Sequence, residues 1–66
     1  MYNLGKSFKL CRRVKGLTLR DVERATGVSN AYLSQIETGT IKEPGFTTVA
    51  TLLKFYGIEV SDLLEE

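Results

Sequence analysis

The chain has 66 residues, 42% hydrophobic and 26% charged, which suits one small globular domain spanning 1–66 and excludes a disordered chain. It has no apolar run near the ~20 residues of a membrane span and no signal-peptide core in residues 1–16; its single Cys11 and lack of His exclude an internal disulfide and a zinc site, and fit a reducing cytoplasm. Net charge is only +1, but residues 1–36 carry +5 and residues 37–66 carry −4, the distribution of a module that turns one side toward phosphates and the other away.

In chain order, residues 4 to about 15 form a first helix, with Leu4, Phe8, Cys11 and Val14 recurring at helical spacing and Lys6, Lys9, Arg13 and Lys15 on other faces. Cys11 has no His to activate it, so it is core packing, and the chain shows no catalytic constellation. Gly16 ends this helix and Leu17 enters the core. Thr18 is an N-cap, with Asp21 three residues later completing a capping-box-like start. The second helix runs to Ala25 or Thr26 and stops at Gly27, a residue that tolerates positive φ. Ser29 caps a third helix that runs to Glu37 or Thr38, with Gly39 behind it. Helix, glycine turn, helix is the helix-turn-helix pattern, whose second helix enters the DNA major groove. Residues 40–45, TIKEPG, are a connection. Residues 46–56 form a fourth helix with Phe46, Val49, Ala50, Leu53 and Tyr56 on one face and Gly57 as its cap. Residues 61–64 can make one more turn, with Val60, Leu63 and Leu64 closing the core. The fold class is all-α, a compact bundle of four to five short helices.

The third helix divides by face. At about 100° per residue, Asn30, Ala31, Ser34, Gln35 and Thr38 share one arc, opposite Tyr32, Leu33 and Ile36. An ordinary solvated helix carries Lys and Glu on its outer side. Small residues permit close approach to another surface, and Asn or Gln can hydrogen-bond a base edge. Two readings stand: a base-reading face, or a bland polar surface. Lys42, just beyond this helix, is placed for a backbone phosphate.

The order of these elements resembles the Cro/C1-type (XRE) helix-turn-helix domains over residues 4–64. The matching residues are Leu4-Gly5, Arg12, Lys15-Gly16-Leu17-Thr18, Thr26-Gly27-Val28-Ser29, Tyr32-Leu33-Ser34-Gln35-Ile36-Glu37-x-Gly39, Pro44 and Tyr56-Gly57-Ile58. The resemblance implies a lambda-repressor-like fold of five helices. It also implies that Ser29, Asn30, Ala31, Ser34 and Gln35 face bases while Thr18, Thr38, Thr40 and Lys42 lie near phosphates. Leu19 stands where many relatives carry a phosphate-binding Gln, a contact that Arg20 would replace. Glu23 stands where a small residue is usual, and a carboxylate there needs a partner or solvent; the sequence names none. Gly45 lacks the basic side chain some relatives send toward a minor groove. An acidic Glu37 at the end of a reading helix would repel phosphate and is poorly placed against the helix dipole. Relatives bridge it to the matching Arg, which implies a structural Arg12–Glu37 ion pair.

The leading expectation is therefore a sequence-specific double-stranded-DNA-binding transcriptional regulator, acting as a homodimeric repressor on a two-half-site operator, without cofactor or metal. The alternative is a protein-interaction module, such as an antitoxin, whose main partner is another protein. Leu52, Phe55 and Ile58 form an apolar patch off the expected core face of the fourth helix, either a dimer surface or a satellite of the core. The ending in Glu65-Glu66 fits both a whole product and one domain of a longer regulator.

Overall fold

Each helix start is fixed by a short polar side chain or by glycine. In the computed structural model, which describes residues 2–65, α1 spans Leu4–Val14, α2 Leu19–Thr26, α3 Asn30–Glu37 and α4 Phe46–Tyr56, followed by a 3-10 turn at Val60–Asp62. Met1 and Glu66 of the expected 1–66 unit lie outside the described residues. Asn3 caps α1 by accepting from the Lys6 amide at 2.9 Å, a cap the sequence reading did not identify. At α2 the capping box is complete: the Asp21 amide donates to Thr18 Oγ1 at 3.1 Å and the Thr18 amide donates to Asp21 Oδ2 at 2.9 Å. Ser29 Oγ caps α3 by accepting from the Tyr32 amide at 3.2 Å. These bonds satisfy amides that a helix start otherwise leaves unpaired.

α3 packs on both α1 and α2, and α4 closes over the same two helices. The core between them is Phe8, Val22, Leu33, Ile36, Leu52, Tyr56 and Leu63, with Leu4, Cys11, Leu17, Val28, Val49, Leu53 and others around it. Phe8 stacks on Tyr56 with ring centroids 5.9 Å apart. The two chain ends meet beside α1. The Asn3 amide donates to the Leu64 carbonyl at 2.8 Å, and buried Ser7 Oγ accepts from the Leu64 amide at 2.8 Å while donating to the Asn3 carbonyl.

Five expected core positions, Val14, Phe46, Ala50, Val60 and Leu64, are exposed, and one expected surface position, Leu52, is buried. Val14 is 79% exposed. Each three-residue step rotates a position about 60° backward around a helix, so the series Phe8, Cys11, Val14 has left the buried face by its third member. Phe46 is 87% exposed and Leu52 is fully buried, because the buried side of α4 centres between Leu52 and Tyr56. That side is about a quarter turn from the arc through Phe46, Ala50 and Leu53. Leu52 is thus the middle of the core and not part of a dimer patch; Phe55 and Ile58 are half-buried against that core. Of the last apolar residues only Leu63 is buried. The turn starts one residue early, at Val60, and the backbone of Leu64 rather than its side chain makes the closing contacts.

Gly5 sets the distance between α1 and α3. A Cβ built there would collide with the Ile36 carbonyl oxygen and press on the Glu37 carbonyl oxygen at 3.1 Å. In an isolated helix, Gly→Ala stabilises by about 1 kcal/mol, whereas overpacking costs about 1–3 kcal/mol. We expect Gly5→Ala to lower the urea unfolding midpoint. A variant as stable as the parent would show that α1 and α3 can part without loss.

Candidate nucleic-acid interface

The turn between α2 and α3 is short, so its backbone groups need local partners. Gly27 takes φ of 79°, the left-handed conformation that closes α2. Thr26 Oγ1 accepts from the Val28 amide at 3.2 Å and donates to the Val22 carbonyl at 2.7 Å. Glu23 reaches across the turn. Its Oε2 accepts from the Asn30 amide at 3.2 Å and its Oε1 from Asn30 Nδ2 at 3.1 Å. The residue that departs from the family pattern therefore anchors the first residue of α3 to α2. Its side-chain and backbone bonds from Asn30 hold the Glu23 carboxyl below its ordinary value of 4.5.

The outer side of α3 carries the residues named above. Ser29, Ala31 and Gln35 are exposed, and Asn30 and Ser34 are half-buried. Among the described residues the side chain of Gln35 has no partner, so its whole amide is available. Asn30 has one N–H committed to Glu23, leaving its carbonyl oxygen and second N–H. Thr18, Arg20 and Asn30 line one cleft of about 520 Å³ with Arg12, Leu17 and Leu19. The structure therefore brings together the expected phosphate contacts of α2 and the start of α3. At the other end of α3, Thr38 Oγ1 donates to the Gln35 carbonyl at 3.3 Å and lies 3.0 Å from Thr40 Oγ1, so the two exposed hydroxyls form one hydrogen-bonded pair at the end of the helix. Lys42 is exposed nearby, lining a recess with Gly39 and Ile41.

Beneath this surface Arg12 and Glu37 form a two-pronged pair. Nε donates to Oε2 at 2.8 Å and the second terminal nitrogen, Nη2, to Oε1 at 2.9 Å; the first, Nη1, donates to the Leu17 carbonyl at 2.8 Å. The side chains are 14% and 7% exposed. The hydrogen bonds to Glu37 push the guanidinium pKa further up. Tyr56 beside them is pushed up to about 12, first by burial and then by the negative Glu37, so it stays neutral at physiological pH. Glu37 is thus an internal carboxylate and not a group offered to DNA.

Two positioning residues escaped the sequence reading. The sequence gives Glu23 no visible partner, because Asn30 reaches it only through the fold of the turn. Tyr32 appeared only as an inner-face residue, yet its Oη accepts from the Gly45 amide at 3.2 Å and so ties the start of α4 to α3.

A helix capped at both sides of a tight glycine turn, bearing small and amide side chains outward between hydroxyls and cations, defines a helix-turn-helix module. Residues 8–63 match the helix-turn-helix family, and the chain belongs to that family. It is similar to the HTH-type transcriptional regulator DdrOP3 of Deinococcus deserti, 41% identical over 63 residues, covering 86% of this chain and 48% of that protein. It is also similar to the uncharacterized HTH-type transcriptional regulator y4dJ of Sinorhizobium fredii, 36% identical over 61 residues, covering 92% of this chain and 78% of that protein. The chain thus spans about half the length of the Deinococcus relative. No solved structure matches it significantly.

Two outcomes follow from the ion pair and the turn. Removing one partner of a buried pair costs about 3–5 kcal/mol, whereas an exposed pair contributes at most about 1. With Glu37 7% exposed, Glu37→Ala should strongly destabilise the fold and Glu37→Gln less so. A double-mutant cycle on Arg12 and Glu37 by urea unfolding checks this, and a coupling near zero would refute it. Glu23 has a depressed folded-state pKa, so its contribution is present above its unfolded pKa and is lost as pH falls through the lower folded value. The urea midpoint should drop below the ordinary carboxylate range, and Glu23→Gln should flatten that dependence. A Glu23→Gln profile parallel to the parent's would remove the cross-turn bonds from the account.

Proposed function

We propose that the chain is a double-stranded-DNA-binding transcriptional regulator that recognises a specific site. The observation that carries this is the outer arc of α3: exposed or half-buried, small and amide-bearing, and held by Glu23, Ser29 and the Arg12–Glu37 pair. In this reading Ser29, Asn30, Ala31, Ser34 and Gln35 face base edges, with Gln35 able to pair with adenine through both ends of its amide. Thr18, Arg20, Thr38, Thr40 and Lys42 hold the flanking phosphates, and residues 1–66 act as one DNA-binding unit in the cytoplasm. The relatives' names, both HTH-type transcriptional regulators, support the same assignment.

The regulator acts as a dimer and represses by occupying a two-half-site operator. Half-buried Phe55 and Ile58, with 50% exposed Val60, supply an apolar strip within residues 55–60 that a second copy would cover. Phe55 also packs edge-on against Tyr56 at 5.2 Å. Val60 is therefore the better position at which to probe association.

Selection of bound sites from random duplex DNA should return a motif of two related half-sites about one helical turn apart. Gln35→Ala should cost about 1–3 kcal/mol on that site and relax preference at one position. Equal weakening on specific and unrelated duplexes would take Gln35 off the base-reading list. Val60→Glu should shift the protein toward monomer in sedimentation without loss of helical signal. An unchanged association state would refute the strip as the dimer contact.

A further inference from the structure

Apart from Arg12, the cationic side chains of α1 take no part in anything described so far. Lys6, Lys9 and Arg13 are exposed, and none has an ion-pair partner among the described residues. At about 100° per residue they fall within one narrow arc of α1, beside the arc that Gly5 and Arg12 bury against α3. There they form one wall of an open groove of about 490 Å³ whose other wall is Glu37, Thr38 and Gly39. The single carboxylate in the groove, Glu37, is already neutralised by Arg12. Three like charges in a row, with no acid to offset them, repel one another, and a bound polyanion would relieve that repulsion.

We infer that this groove is a second phosphate-binding track, which carries one strand of the duplex backbone along α1 past the end of the reading helix. The inference rests on the DNA-binding reading above. Position favours duplex DNA over an acidic protein surface. Thr38 lines the groove itself, and Lys42 and Gly39 line the adjoining recess around Gly5, so the α1 cations continue the line of the expected phosphate contacts. Length agrees as well. Lys6 to Arg13 covers about 10 Å along a helix axis; the phosphates of one strand recur about every 3.4 Å of rise along the duplex axis and lie farther apart along the winding strand itself, so the three cations span about two to three phosphates. The track would also explain how a chain of net charge +1 holds DNA, since the positive charge is concentrated on one surface.

The test is the salt dependence of binding to two duplexes, one mixed-sequence and one obtained by site selection. Parent, Lys6→Ala/Lys9→Ala/Arg13→Ala, Lys42→Ala and the exposed α4 cation change Lys54→Ala are compared. Each phosphate contact contributes about 0.9 to the slope of log K against log salt, so the triple variant should lose about two to three units. Both duplexes should weaken alike, and Lys54→Ala should leave the slope unchanged. Lys9→Ala alone, losing about one unit, serves if the triple variant loses its helical signal. A folded triple variant with the parent's slope overturns the track. If Lys42→Ala still lowers the slope by about one unit and Gln35→Ala still relaxes preference at one position, DNA binding stands and the groove belongs to another partner, such as an acidic protein. A parent without salt-dependent duplex binding would overturn both.

Discussion

The guanidinium of Arg12 meets three elements at once. It belongs to α1, it takes both oxygens of Glu37 at the end of α3, and it donates to the Leu17 carbonyl in the junction that leads into α2. Guanidinium is planar and permanently charged, so this geometry cannot relax by loss of a proton. That one planar group ties the end of α3 to the junction before α2, while Glu23 ties the start of α3 to α2, and Arg12 itself lines the cleft that holds Thr18, Arg20 and Asn30. The same pair removes a negative charge from the side of the protein that the proposed function turns toward phosphate. Neutral Tyr56 seals it from below without adding a competing charge.

A chain of 66 residues has limited core to draw on, so polar closures matter more than in a large protein. Here they are concentrated at chain reversals. Thr18 and Asp21 start α2, Thr26 and Glu23 satisfy the turn, Ser29 starts α3, and Tyr32 holds the start of α4. Ser7 is a buried polar residue, and its side chain joins the two ends of the chain. Rigidity at the turn is what a reading surface requires, because base-edge hydrogen bonds tolerate little misplacement.

Charge is partitioned in the same spirit. The cations of the first half face outward on α1 and α2, apart from Arg12. Glu23, which bonds the start of α3, and Glu37, which ends it, are both consumed by internal bonds. An acidic residue in that region therefore says little about what the surface binds until its partner is known. For Glu37 the family resemblance supplied the partner; for Glu23 it could not, since the residue departs from the pattern.

Most of the local structure was legible in the sequence. Thr18 with Asp21, Gly27, Ser29 and Gly57 mark helix ends through their own chemistry, with backbone amides or positive φ satisfied within three or four residues. The all-α class, the helix-turn-helix and the outward arc of α3 follow from these signals and from helical periodicity. Tertiary structure alone decided which side of α4 is buried, since its apolar residues run nearly round the helix and only the shape of α1 and α2 selects Leu52 over Phe46. It also decided that Val14 lies past the edge of the core, that Glu23 bonds Asn30, and that Gly5 meets the α3 backbone. Those facts depend on distances between segments far apart in the chain or across a turn. Local propensity and periodicity hold no information about such distances.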